Sequence, residues 1–253
     1  MKIQHMVRTA GLALCLLLLT GCGARRVDPR TLAPDDLYTR ATQAYDRRDF
    51  GEAIPFLQAF VEQHLGDPRA PDAMMRLGRA HMARREYISA ASYFQRLAED
   101  FPASPLNLEA RFAVCDSYVR LSPAPQLDQE YTRAALDHCG SVATGFAGTP
   151  EAETARTHVA QLREKLAEKV FQNGLFYQRR RAYDSAVIYF GDVVEEYPET
   201  AAAPNALRRL LDVYIVLGYV EEAGQTRERL LRDYPDAPSA QGLPAVDSAS
   251  AAR

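Results

Sequence analysis

The sequence predicts an all-α fold, a solenoid of about five helix hairpins, and three observations predict it. A small residue recurs at fixed offsets along most of the chain, apolar residues between recurrences follow helical spacing, and aromatic-proline pairs punctuate the stretches. Composition agrees. Of 253 residues 47% are hydrophobic, Trp is absent and only 14 are Gly, while alanine and leucine dominate, which suits helices packed close together.

The recurrence runs through Ala53, Ala90, Ala135, Ala186 and Ala223, at spacings of 37, 45, 51 and 37 residues. Twenty residues after each of the first four stands another alanine: Ala73, Ala110, Ala155 and Ala206. Twelve positions before four of the five markers stand Ala41, Gly78, Gly174 and Leu211. Each unit therefore reads as two helices. The second ends at a break such as Phe101-Pro102, Tyr197-Pro198 or Tyr234-Pro235. Proline cannot continue a helix interior, and it pushes the preceding residue out of helical geometry. Glu151 to Arg180 contains no Pro and one Gly, so it is expected as one long helix or two nearly continuous ones.

This pattern resembles the tetratricopeptide repeat. Small residues let the two helices of a hairpin approach closely, and each hairpin buries its apolar face on the next. The repeat domain is expected over residues 35–237. Residues 238–253, rich in Pro, Ser, Ala and Gly without periodicity, are expected as a disordered tail.

The chain opens with Lys2 and Arg8, runs apolar from Gly11 to Leu19, and reaches Leu19-Thr20-Gly21-Cys22. A charged start, a short apolar run and a small-residue cleavage site read as an export signal over residues 1–21. The run is about half of the roughly 20 apolar residues that span a bilayer. The ending resembles the bacterial lipobox, which implies lipidation at Cys22. Several acyl chains hold a protein on a membrane where one binds only marginally. Residue 23 is Gly and not the Asp that retains lipoproteins in the inner membrane of enteric bacteria, so outer-membrane residence is expected. Residues 22–34 then form a tether.

Loss of residues 1–21 removes Lys2, Arg8 and no acid, taking the formal charge from −3 to −5. A mildly acidic body argues against nucleic-acid binding. The sequence holds no HExxH, Walker loop, nucleophile elbow or paired-carboxylate motif, so no enzyme and no cofactor are expected.

In such arrays the first helices line the concave face. Candidates there are Tyr38, Thr42 and Tyr45 in the first unit and Met75, Arg79 and Met82 in the second. They suit a groove for an extended or helical peptide, or alternatively serve packing between repeats. Arg179, Arg180 and Arg181 fall at the hairpin turn of the fourth unit, and Arg208 and Arg209 begin the last hairpin. Either cluster pairs with an acidic partner or is solvated. Cys115 and Cys139 sit on facing helices of the third unit, as a bridge or as two buried thiols. His138 beside Cys139 makes no recognised metal spacing with Cys115, so no metal is expected.

Residues 121–129, Leu-Ser-Pro-Ala-Pro-Gln-Leu-Asp-Gln, followed by Thr132 and Ala135, resemble the BamD lipoproteins of the outer-membrane β-barrel assembly machinery. So do Leu162 to Leu166 with Lys169, and Tyr177, Tyr183, Ala186 and Phe190. The resemblance covers most of residues 30–238. It implies a periplasm-facing, non-catalytic scaffold that binds the POTRA domains of the barrel-forming BamA protein and incoming unfolded outer-membrane proteins. The later repeats would meet BamA and the first repeats substrate. The alternatives are another tetratricopeptide lipoprotein, for pilus assembly or envelope maintenance, and an enzyme of cell-wall metabolism.

Overall fold

A computed structural model describes residues 27–246. The expected signal segment, residues 1–21, and the expected lipidation site Cys22 lie outside the described residues. Ten α-helices and no strand occur among the described residues. They pair as five hairpins: α1 (Pro34–Asp46) with α2 (Phe50–Gln63), α3 (Ala70–Ala83) with α4 (Tyr87–Asp100), and α5 (Asn107–Leu121) with α6 (Glu130–Gly145). The last two are α7 (Pro150–Arg179) with α8 (Tyr183–Glu196), and α9 (Ala202–Leu217) with α10 (Val220–Asp233). Each second helix also packs on the next first helix, and α7 touches both α5 and α9, so the hairpins stack into a solenoid.

The small residues mark where helices nearly touch. A Cβ added to Gly78 would lie 2.7 Å from Cδ1 of Phe94, and one on Gly174 would lie 2.6 Å from the same atom of Phe190. Both rings are fully buried. In units 2 and 4 the aromatic ring four residues after the marker alanine thus lies flat on the bare backbone of its partner helix. Ala41 and Leu57 hold the same two positions in unit 1, both with no exposure. In unit 3 these positions fall to Cys115, five residues after Ala110 as Gly78 is five after Ala73, and Cys139, four after Ala135. Their sulfurs are bonded at 2.09 Å, with the Cα atoms 4.8 Å apart. A covalent link replaces the ring-on-glycine contact.

The irregular spacings have simple origins. A spacing of 51 against 37 inserts fourteen residues into α7, which is about 3.9 helical turns, so both halves keep nearly the same face inward. Near its start Ala155 and Leu162 join the cores of α5 and α6; further on Ala167 and Phe171 join those of α8 to α10. The helix is continuous over 30 residues. In unit 3 the added residues form loop 122–129, and Lys165 and Lys169 of α7 hold it. Lys165 Nζ donates to Ser122 Oγ (2.7 Å) and Lys169 Nζ to the Gln126 carbonyl (3.0 Å). From Ser122 the chain of donors runs to Thr132 Oγ1 (2.7 Å) and on to Gln129 Oε1 (2.6 Å). Gln129 Nε2 then donates to the carbonyls of Ala124 and Leu127. Burial holds the Lys165 ammonium below the usual lysine range.

Two turns repeat with the hairpins. Within units 1, 2, 4 and 5 the residue five before the marker takes a left-handed conformation: Arg48 (φ 59°), Arg85 (φ 62°), Arg181 (φ 59°) and Gly218 (φ 76°). The next N–H closes each turn on a carbonyl five residues back, as Asp49 to Ala44 at 2.9 Å and Ala182 to Tyr177 at 3.1 Å. This is the glycine position of a helix C-terminus, and three arginines occupy it. Between units, an aromatic residue eleven after each marker ends the second helix: His64, Phe101, Phe146, Tyr197 and Tyr234, with φ between −128° and −137°. Proline follows only three of these, so the aromatic C-cap, more than the proline, is the constant feature of the stop.

The described parts of the expected tether and tail, residues 27–34 and 238–246, are better ordered than periodicity suggests. Pro29–Thr31 forms a 3-10 turn against α2. At the other end the expected tail from residue 238 begins as packed structure. Pro238–Ala240 forms a 3-10 turn, Ala240 is buried, Leu243 packs on the α9 side, and Arg208 donates to the Gln241 carbonyl at 3.2 Å. Residues 234–240 repeat the turn that precedes the first helices of units 2 to 5, with Ala237 N–H on the Tyr234 carbonyl (3.1 Å). Because no sixth hairpin follows among the described residues, periodicity cannot register it.

The close contact of unit 4 and the bridge of unit 3 can each be tested by stability. Gly174→Ala should lower stability by about 1–3 kcal/mol through overpacking; urea denaturation would show a lower midpoint, and an unchanged midpoint would contradict the close approach. Reduction of Cys115–Cys139 should cost roughly 3 kcal/mol, because the bridge closes a loop of 24 residues in sequence separation. Thermal melts with and without reductant check this.

Candidate binding surface

The first helices of units 1 to 3 form one side of the stack, and charge pairs tie them together. Tyr38 on α1 donates its phenol to Asp72 on α3 at 2.7 Å. Asp72 also accepts from Arg76 at 2.6 Å, and Arg76 reaches back to Asp46 of α1 at 3.1 Å. The Arg76 guanidinium lies over the Tyr45 ring, 5.2 Å from its centre. One unit further, Arg79 of α3 pairs with Glu109 of α5. At the turn between units 1 and 2, Arg69 covers the rings of Tyr38 and Phe60 while pairing with Asp35 and Asp67.

These contacts set the electrostatics. Partial burial, the hydrogen bond to Asp72 and the charge of that carboxylate push the Tyr38 phenol up to about 12. Hydrogen bonds from Arg69 hold the Asp67 carboxyl down at about 2. The surface is a ladder of half-exposed tyrosines and paired charges, suited to hydrogen bonding and stacking with a peptide of variable sequence.

Of the groove candidates, Tyr38, Thr42, Tyr45 and Arg79 do lie on this side. Thr42 Oγ1 is 3.0 Å from the Tyr38 carbonyl, a bond within its own helix. Met75 does not belong there: it is 1% exposed and sits in the core of the first two units. It lies three residues before Gly78, one helical turn along the inward face, which is the physical reason. Met82 is half-buried against the same core, 3.3 Å from the Ser117 hydroxyl. Asp46, Asp72, Arg76 and Glu109 were missed from the sequence. A signal for them exists, since Asp46–Arg76 and Arg79–Glu109 are both separated by 30 residues.

In the later units Arg179, Arg180 and Arg181 are exposed at the α7–α8 turn. Arg180 stacks on Phe176 at 4.3 Å, and none of the three makes an ion pair among the described residues. Arg208 is less available, held by Asp212 (3.3 Å) and by the tail; Arg209 is exposed and 3.8 Å from Asp212. His138 stacks on Tyr118 at 4.9 Å, and burial lowers its imidazole below the usual range. With both neighbouring sulfurs in a disulfide, it has no thiolate beside it. No group of three potential metal ligands occurs among the described residues. No helix among them is long and apolar enough to cross a membrane.

Five stacked hairpins with paired small residues and a peptide-sized ladder define a tetratricopeptide-type scaffold. The chain belongs to the YfiO family of outer-membrane lipoproteins, which it matches over residues 30–230. Among curated proteins it is similar to the outer membrane protein assembly factor BamD of Caulobacter vibrioides, at 25% identity over 86% of this chain and 72% of that protein. The protein of the same name from Rickettsia prowazekii is 25% identical over 87% and 88% of the two chains, and that from Haemophilus influenzae 22% over 89% and 90%. Among solved structures, a TPR repeats protein from Bacteroides fragilis aligns with a TM-score of 0.47 at 12% identity, over 84% of this chain and 96% of that one. The TPR domain of P58(IPK) aligns with a TM-score of 0.45 at 17% identity, over 82% of this chain and about half, 53%, of that one.

The Tyr38–Asp72 contact predicts a pH effect. A phenol whose folded value is raised contributes stability that is fully present below its ordinary value near 10 and is lost as pH climbs through about 12. Ultraviolet difference titration should show Tyr38 among the tyrosines that ionise late, near pH 12, and Asp72→Asn should move that one component back toward 10. A tyrosine unmoved by that substitution would break the assignment.

Proposed function

We propose that this protein is a non-catalytic scaffold of the outer-membrane β-barrel assembly machinery. It is anchored through lipidated Cys22 to the outer membrane and faces the periplasm. It binds the POTRA domains of a BamA-like barrel protein and receives unfolded outer-membrane proteins. The observation that carries this reading is the family match over residues 30–230, joined to relatives named as assembly factors across most of both chains.

The geometry supports a division of labour. The tyrosine and charge-pair ladder of units 1 and 2 offers Tyr38, Thr42, Tyr45 and Arg79 to an extended substrate. The exposed Arg179, Arg180 and Arg181, with Arg209 nearby in chain order, offer charge-assisted bonds to acidic groups of the barrel protein. Rigidity matters to both tasks: the bridge in unit 3 and the unbroken α7 hold the two ends in a fixed relation.

Affinity purification of the native, membrane-extracted lipoprotein tests the proposal. A POTRA-bearing barrel protein in stoichiometric amount is the expected result, reduced about tenfold or more by charge reversal of Arg179 and Arg180, as for the loss of charge-assisted contacts. Recovery of pilus or envelope-maintenance proteins in its place would overturn the assembly role and leave the anchored solenoid intact.

A further inference from the structure

Arginine stands in the left-handed turn position of units 1, 2 and 4, where glycine fits without strain. For an L-residue that conformation costs roughly 1–2 kcal/mol more than for glycine, and such outliers persist where the side chain serves a purpose. Because the hairpins stack in parallel, these turns share one edge of the solenoid. Arg48 and Arg85 are exposed there, and neither makes an ion pair among the described residues.

The acids near them are already engaged. Asp46 accepts from Arg76, and Asp49 caps α2 by accepting the Glu52 N–H at 3.1 Å. Glu52 pairs with Arg40 and Arg47, and Glu86 with Arg84 and His81. The two arginines are therefore the cations of these turns that make no ion pair among the described residues, and Asp49 beside Arg48 is an acid that makes none either.

The tether reaches the array at this same edge. Val27, Asp28 and Pro29 line one wall of a cavity of about 630 Å³ whose other wall includes Asp49 and Gly51, directly after Arg48. Cys22 precedes Val27 by five residues, a span of at most about 18 Å when fully extended. Apolar side chains accompany the charges: Val27 is 37% exposed and Ile88, three residues after Arg85 in the first turn of α4, is 50% exposed. Cations beside exposed apolar groups, close to an acyl anchor, are the composition of an interfacial contact.

We propose that the hairpin-turn edge of units 1 and 2 rests on the membrane, with Arg48 and Arg85 against the phosphates of anionic lipids. The proposal rests on the lipid-anchored reading given above. An anchor bound at one point leaves the array free to swivel, and two cations on the turn edge fix which edge faces the bilayer. The ladder of first helices is thereby kept open to the periplasmic side. The same position in unit 4, Arg181, lies farther along the chain in the cluster assigned to the barrel protein.

The test uses the mature chain carrying Cys22→Ser, so that only surface contacts hold it to vesicles. It should cosediment with phosphatidylcholine vesicles containing phosphatidylglycerol, less so as salt rises, and not with phosphatidylcholine alone. Arg48→Gly with Arg85→Gly should reduce that partition about 25-fold, from about fivefold for each surface arginine. These substitutions relieve backbone strain, so the variant folds. Arg111→Ala with Arg156→Ala removes equal charge from the opposite edge and should leave partition unchanged. Equal loss in both pairs, binding to neutral vesicles, or no vesicle binding at all would overturn the proposal. So would capture of polyglutamate by the parent, lost in the glycine pair, without vesicle binding, which would assign the edge to an acidic peptide. Recovery of the barrel protein by the lipidated glycine pair stays intact in either case, which separates this inference from the assembly role.

Discussion

The close approach of the two helices in each hairpin is the contact on which the rest of the structure depends. In units 2 and 4 it is a phenylalanine ring laid on a glycine, Phe94 on Gly78 and Phe190 on Gly174, with no room for a methyl group between them. In unit 3 the same two positions are joined by a disulfide. That contact sets the distance between helices, which sets the thickness of each unit, which in turn aligns first helices along one side and hairpin turns along one edge. The ladder of Tyr38, Asp72, Arg76 and Asp46 exists only because α1 and α3 are held within reach of one another.

Unit 3 shows how a solenoid absorbs irregularity. Its turn is a proline-containing loop and not the tight left-handed turn of its neighbours, so the loop needs its own support. Lys165 and Lys169 of α7 provide it, bonding to Ser122 and to the Gln126 carbonyl. The fourteen residues that lengthen α7 carry these lysines past the loop while preserving the inward face. The bridge and the long helix together connect an N-terminal core built from α1 to α5 with a C-terminal core built from α7 to α10. Exposed turns and half-buried ladders can then serve partners without loosening the framework.

Much of the fold was legible because close packing leaves a periodic trace: Ala53, Ala90, Ala135, Ala186 and Ala223 are all fully buried at equivalent points. The long helix was legible from the absence of helix breakers. What escaped was information carried by pairs of residues a repeat apart. Met75 looks like a groove residue in a sequence, yet its place one turn before Gly78 puts it in the core. The packed turn at residues 238–240 escaped because no helix follows it among the described residues, and a turn alone leaves no period. The aromatic caps were only partly visible, since His64 and Phe146 lack the proline that marks the other three.

The proposed function places two separate surfaces on one array, a first-helix ladder for substrates and the unit 4 turn for the barrel protein. Photo-crosslinking in living cells tests it most directly, with the crosslinking amino acid placed at Arg79 in one strain and at Arg180 in another. Position 79 should capture a range of nascent outer-membrane proteins, while position 180 should capture a single POTRA-bearing partner. Capture of the same product at both positions would rule out two separate surfaces.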